Sequence, residues 1–206
     1  NQVQVNTKAG LTFATGLRSL LRQDPDICMV GEIRDEETAE IAVRAALTGR
    51  LLFTTLHTGR AAGAVFRLLD MGIKPYFLGA ALLGICAQRL VRRLCPACRE
   101  EYEIVPKSRE AVFLGEEYRP GQMAFRARGC EKCRGTGYRG RLAIHELLPF
   151  SETIQAAVTA GEKLRVIEET AIREGMVSLR RDGIQKALAG QTTLEEIKRG
   201  LYGDGG

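Results

Sequence analysis

Two Cys-x2-Cys pairs constrain this chain more than any other feature. Cys95-Pro96-Ala97-Cys98 and Cys130-Glu131-Lys132-Cys133 are separated by 31 residues. Each pair can present two sulfurs to one metal ion from a tight turn, and two pairs complete the closed tetrahedral shell of a structural zinc site. The intervening segment must then form a loop or small lobe whose ends meet. Disulfides are disfavoured in a reducing cytosol, and a redox Cys-x-x-Cys would need a thioredoxin-like flank that is missing. Zinc on Cys95, Cys98, Cys130 and Cys133 is therefore expected. Gly135, Gly137 and Gly140 suit a tightly folded knuckle, while Cys28 and Cys86, in apolar surroundings, read as small core residues.

Upstream of the cysteines the pattern is that of a parallel α/β protein. Ile27-Cys28-Met29-Val30 is an unbroken apolar run, as in a strand buried on both faces. It ends at Gly31 and places Glu32 where the strand emerges, the side on which open α/β sheets bind ligands. Before it, Thr12 can cap a helix that Asp24-Pro25 stops. After it, Asp35 caps an alanine-rich helix ending at Thr48-Gly49. A second strand, Leu51 to Thr55, precedes a helix from Ala61 to about Met71, and another helix from Pro75 to about Leu90. Strand, helix, strand, helix is the parallel order.

From Leu94 cysteines, prolines and glycines take over, with no long periodic segment before Arg141. A strand at Leu142-Ala143-Ile144 and several short helices close the chain, the last opened by a capping box at Thr193-Leu194-Glu195-Glu196. Three segments follow: 1–93, 94–140 and 141–206. Gly203 to Gly206 reads as a disordered tail.

Composition narrows the partners. At 206 residues, with 45% hydrophobic and 27% charged residues, the chain suits one soluble domain with an appendage. The apolar stretch Phe77 to Ala87 is too short to span a bilayer, and no secretory signal is visible, so cytoplasmic residence is the default. With no initiator methionine, the chain reads as a fragment. The formal net charge of +5 would fall to about +3 once four thiolates held one zinc. Glu100, Glu101, Glu103, Glu110, Glu116 and Glu117 would repel phosphates, so nucleic acid is not expected.

Three further residues carry candidate chemistry. A glutamate at a strand's carboxyl end is held rigidly enough to orient the attacking water of ATP hydrolysis. On the strand alone, the simpler reading of Glu32 is an acid paired with Arg34 or capping the next helix. His57 follows the second strand in Thr54-Thr55-Leu56-His57-Thr58, where a lone histidine is more often structural. Arg89, in Gln88-Arg89-Leu90-Val91-Arg92-Arg93, can grip phosphate or lie on a solvated surface.

Gly31-Glu32-Ile33-Arg34-Asp35 with its flanks resembles the Walker B region of the type II secretion and type IV pilus assembly ATPases. The segment through His57 resembles the family's histidine box, although Arg50 stands where a first histidine is usual. Gln88 to Cys95, Gly129 to Arg141, Ile144 to Leu148, Gly175 to Arg180 and Gly190 to Glu196 resemble later family segments in order, the third of these, Ile144-His145-Glu146-Leu147-Leu148, favouring the secretion branch. The family's phosphate loop, GxxxxGK[ST], appears nowhere in the sequence.

The resemblance implies the second half of a RecA-like ATPase domain over 1–93, a zinc module over 94–140 and a helical region over 141–206. In that scheme Glu32 activates water, His57 senses the γ-phosphate, and Arg34 and Arg89 contact nucleotide. It further implies ATP and Mg2+ in the full-length protein, a homo-hexamer, and inner-membrane platform proteins as partners on the cytoplasmic side. The isolated chain, without its phosphate loop, is expected to be inactive. The alternative is a non-catalytic zinc-ribbon module that binds nucleic acid or protein.

Overall fold

In the computed structural model, which describes residues 1–203, helices alternate with short sheets. The order is α1 (Phe13–Leu21), β1 (Ile27–Val30), α2 (Glu36–Leu47), β2 (Leu51–Thr54), α3 (Ala61–Asp70) and α4 (Pro75–Ala81). Then come β3 (Gly84–Leu94), β4 (Arg99–Glu103), α5 (Arg109–Leu114), β5 (Met123–Ala127) and β6 (Tyr138–Pro149). Four helices close the chain: α6 (Glu152–Thr159), α7 (Leu164–Arg173), α8 (Leu179–Leu188) and α9 (Leu194–Tyr202). The expected glycine-rich tail lies, from Asp204 onward, outside the described residues.

The first elements form where local chemistry places them. Thr12 and Thr15 cap α1 reciprocally, each hydroxyl accepting from the other's backbone N–H at 3.2 and 2.9 Å. Asp35 caps α2, its carboxylate accepting from the Thr38 N–H at 2.8 Å and the Thr38 hydroxyl at 3.0 Å. Ala39, Ala42 and Ala45 are buried on α2, which packs against β2. Gly49, at φ 93°, takes the left-handed turn that ends the helix.

β1 and β2 pair in parallel, from Ile27 opposite Leu51 to Val30 opposite Thr54. The expectation that β1 is buried on both faces is corrected. Cys28 and Val30 are buried, but Ile27 and Met29 are 64% and 65% exposed, and Phe53 opposite Met29 is 54% exposed. Strand side chains alternate between faces, and among the described residues this sheet has two strands with one face left open. Among the described residues the architecture is mixed α/β with three two-stranded sheets, of which β1–β2 is parallel.

A second correction falls on the helix expected from Pro75 to Leu90. It ends at Ala81, and Gly84–Leu94 is a strand paired with β6. Its buried residues Ala87, Val91 and Leu94 stand at helix-like spacing, so periodicity alone misreads it. Pairing overrides propensity here: a Cβ on Gly84 would lie 3.3 Å from the Leu148 carbonyl, close against the partner backbone. The strand expected at Leu142–Ile144 likewise extends over Tyr138–Pro149. The segment between the cysteine pairs is also more regular than expected. β4 and β5 run antiparallel, from Arg99 opposite Ala127 to Glu103 opposite Met123, with α5 between them.

By its internal contacts the chain divides into two units. One comprises Asn1–Cys86 and Leu147–Met176; the other comprises Ala87–Glu146 and the chain from Val177. In the first, α4 packs on α6 and α3 on α7, around buried Val65, Leu78, Ile154 and Ile167. In the second, α8 packs on α9 and β5, around Ile104, Leu114, Ile184, Leu194 and Ile197. The second unit thus takes residues from both sides of Leu147–Met176 in the chain. The cysteine-bearing segment supplies Ile104, Leu114 and Ala124 to a core that it shares with α8 and α9. Among the described residues no helix is long and apolar enough to cross a membrane.

Candidate functional site

Glu32 leaves the carboxyl end of β1, and two contacts beyond the last β1–β2 pair hold it there. The Ile33 N–H donates to the Thr55 carbonyl at 3.1 Å, and the Thr55 hydroxyl donates to the Gly31 carbonyl at 2.7 Å. Ile33 is buried beside them, so the chain turns with Glu32 facing the segment that follows β2. Arg34 Nε donates to Glu32 Oε2 at 2.7 Å, and His57 Nε2 faces the same oxygen at 3.2 Å. The side chain of Glu32 is 20% exposed, whereas those of Arg34 and His57 are 68% and 81% exposed. The hydrogen bond from Arg34 holds the Glu32 carboxyl below its usual range; partial desolvation opposes it and His57 assists. This corner therefore presents a charged carboxylate beside an arginine and a histidine that both reach into solvent.

The structure brings Glu32, Arg34 and His57 together within the first unit, while Arg89 lies on β3 in the second. Arg89 Nη1 donates to the Gln88 carbonyl at 3.2 Å. Arg50, standing where the resembling family has a histidine, is at the opposite end of the strands. It precedes the first β1–β2 pair, whereas Glu32 follows the last. Its guanidinium donates to Asp24 Oδ1 and to the Thr48 hydroxyl, each at 2.8 Å. Arg50 thus ties the turn before β1 to the end of α2, far along the strands from Glu32.

The second cluster is sulfur. The Sγ atoms of Cys95, Cys98, Cys130 and Cys133 all lie within 4.8 Å of one another. Cys95 to Cys130 is 4.0 Å, Cys98 to Cys133 is 3.8 Å and Cys130 to Cys133 is 3.8 Å. A tetrahedral ion with metal–sulfur bonds of about 2.3 Å needs sulfurs about 3.8 Å apart. The four cysteines therefore fit a metal ion. The β4–β5 ladder explains how distant pairs meet: β4 begins directly after Cys98, and β5 ends three residues before Cys130.

Backbone groups aim at the sulfurs. The N–H groups of Cys130 and Gly137 donate to Cys133 Sγ at 3.1 and 3.2 Å. Burial raises the Cys133 thiol pKa, but these donors and the neighbouring thiols bring it down to about 6. Cys98 is pushed up to about 12, first by burial and then by sharing protons with the other three. Gly137 is required here, since a Cβ would lie 2.5 Å from that of Ala127. Cys28 is buried outside this cluster and Cys86 is exposed, against its reading as a core residue.

Sequence reasoning missed Glu196. The expected capping box of α9 is half formed: the Thr193 hydroxyl accepts from the Glu196 N–H at 3.1 Å, but the Glu196 side chain turns away. It is 1% exposed and accepts from Arg92 N–H at 2.9 Å, Arg92 Nη2 at 2.5 Å and Arg199 Nη2 at 2.8 Å. Burial works to raise its pKa, but the hydrogen bonds from Arg92 and Arg199 outweigh it and hold the carboxyl low. Arg92 also stacks over Tyr138, 4.1 Å from the ring centre. The signal available in sequence was the doubled glutamate at a helix start, which a cap accounts for equally well.

Comparison with known proteins places these features. A family model described as "Type II/IV secretion system protein" matches residues 1–199. Type II secretion system protein E of Aeromonas hydrophila is 54% identical over 198 residues, covering 96% of this chain and 39% of that protein. The type IV pilus assembly ATPase PilB of Thermus thermophilus is 54% identical over 197 residues, covering 96% of this chain and 22% of that protein. The chain thus spans well under half the length of either relative. Among solved structures, the pilus retraction motor PilT with bound ADP superposes with a TM-score of 0.63 at 26% identity, over 92% of this chain and 43% of that one. The Legionella pneumophila ATPase DotB, with a TM-score of 0.63 at 23% identity over 91% of this chain and 41% of that one, shares the fold. With matched residues running through both the β1 carboxylate corner and the four sulfurs, the chain belongs to the Type II/IV secretion system protein family.

Proposed function

We propose that this chain is the downstream part of an ATP-driven motor for pseudopilus or pilus assembly and protein secretion. The observation that carries the reading is the convergence of Glu32, Arg34 and His57 at the carboxyl ends of β1 and β2, in a chain of this family. Both hydrogen bonds to Glu32 fall on Oε2, which leaves Oε1 to take a water. A carboxylate held in its charged form can orient that water toward a γ-phosphate. His57 and Arg34, largely exposed, would turn to the phosphate oxygens as charge builds there. Arg89 is the further candidate for nucleotide contact.

The RecA-like identity of the β1–β2 region rests on the PilT likeness and on its parallel pairing. ATP and Mg2+ belong to the full-length protein, which would work as a homo-hexamer at an inner-membrane platform on the cytoplasmic side. Four thiolates leave no open position on zinc, so the metal would cross-link the second unit and take no part in hydrolysis. The segments 94–140 and 141–206 then serve as zinc module and helical region. A chain extended upstream to include a GxxxxGK[ST] loop should hydrolyse ATP, and Glu32→Gln should retain nucleotide while losing turnover. Robust hydrolysis by the 206-residue chain itself would overturn this placement of the phosphate site.

A further inference from the structure

The chain's positive charge is concentrated at the second cysteine pair. Residues 126–141 carry six basic side chains against Glu131 alone, an excess as large as the +5 of the whole chain. Arg126 pairs with Glu100 at 3.1 Å, and Arg128 adds to the field that lowers the Glu100 pKa. Lys132, Arg134, Arg139 and Arg141 are exposed and make no ion pair among the described residues. The thiolates that could offset them are turned inward, with Cys95 and Cys133 buried.

We propose that Lys132, Arg134, Arg139 and Arg141 form a docking surface for an acidic segment of a partner protein. Three observations choose this partner chemistry over a membrane or a nucleic acid. No large hydrophobic residue is exposed between Met123 and Leu147, so the surface has nothing to insert into a bilayer. Tyr138 is half-buried beneath Arg92 and shares a 3.0 Å hydrogen bond with Thr193, so no aromatic face is free to stack on bases. Finally, Glu101 and Glu103 are exposed on β4, paired opposite Phe125 and Met123 on the strand that leads into the knuckle. An extended anionic surface would meet these acids as well, while a short acidic segment can engage the basic side chains alone. Arginine, three of the four residues, matches the planar fork of a carboxylate.

The inference stands apart from the ATPase reading, and its test needs no turnover. A ten-residue oligoglutamate should bind the zinc-loaded 206-residue chain with affinity that falls as salt rises. Arg134→Glu, Arg139→Glu and Arg141→Glu together should weaken it by about tenfold or more. Reversal of Lys8, Arg67 and Lys74 to glutamate, which changes net charge equally within the first unit, should cost less than about twofold. If the first triple variant loses its zinc, Arg134→Gln, Arg139→Gln and Arg141→Gln supply the same comparison with a smaller expected loss. Equal losses in both sets, or no loss in either, would overturn the proposal. So would tighter binding of phosphatidylglycerol vesicles or duplex DNA than of oligoglutamate.

Discussion

The corner at Glu32 and the cluster of four sulfurs differ in how much of their own geometry the described residues supply. Around the sulfurs, a strand ladder brings the two pairs together and backbone N–H groups point at Cys133. Every position a tetrahedral ion would offer is filled by the chain. Around Glu32 the same kind of strand-end placement gathers both contacts on one carboxylate oxygen and leaves the Arg34 and His57 side chains largely in solvent. The sheet behind it has an open apolar face at Ile27, Met29 and Phe53. A closed site suits a structural bond, whereas chemistry on a substrate needs an open position. The contrast teaches that one unit holds a closed set of four sulfurs that fits a metal ion, and the other a corner that reaches into solvent.

Removing metal should produce the largest effect and should separate the two units. Structural zinc contributes roughly 10–16 kcal/mol of apparent binding free energy in zinc-finger peptides. Chelation, or Cys130→Ser, should therefore abolish amide-exchange protection in β4 and β5 while α1 and α2 keep most of theirs. Equal loss in α2 would break the comparison. One zinc per chain is expected by elemental analysis, unchanged by Cys28→Ser or Cys86→Ser.

Next in size is the effect at the open corner. In a longer chain that carries the phosphate loop, Glu32→Gln should reduce turnover about 10²- to 10⁴-fold, the range for a positioned acid–base group. Zinc content and melting temperature should stay as they are. His57→Ala should cost about tenfold, as for one hydrogen bond to a charged group. Near-native turnover in both variants would reduce the corner to a structural ion pair.

The buried Glu196 network gives a smaller effect confined to the second unit. Glu196→Ala should destabilise it by about 2 kcal/mol, since Arg92 and Arg199, both half-exposed, lose a charged hydrogen-bond acceptor. The native carboxyl has a pKa held below the ordinary 4.5, so its contribution is complete above that value. It should be lost as pH falls below 4.5 through the folded-state value. The acid-induced difference between wild type and Glu196→Gln, read by denaturant titration, checks both sign and window.

Smallest is the electrostatic hold on Glu32. Arg34→Ala removes the main cause of its lowered pKa, so the carboxyl should titrate higher, toward the ordinary 4.5. Carbon-detected NMR of Glu32 reads this directly, and an unchanged titration would assign the shift elsewhere.

Local signals in the sequence were sufficient for α1, α2 and the two cysteine pairs that meet in one cluster. Thr12, Asp35 and Gly49 act within a few residues of themselves, and Cys-x2-Cys spacing is a property of one turn. A shared site for Glu32 and His57 was legible through the family resemblance, and the parallel pairing of β1 with β2 is what brings the two together. Tertiary structure alone decided β3, where pairing with β6 overrode a helical spacing of apolar residues. It also turned Glu196 from a helix cap into a buried partner of Arg92, and sent α6 and α7 to one unit and α8 and α9 to the other. These outcomes depend on which surfaces meet across stretches of chain far longer than any local signal, and burial against a distant partner outweighs the few tenths of a kcal/mol that local propensity contributes per residue.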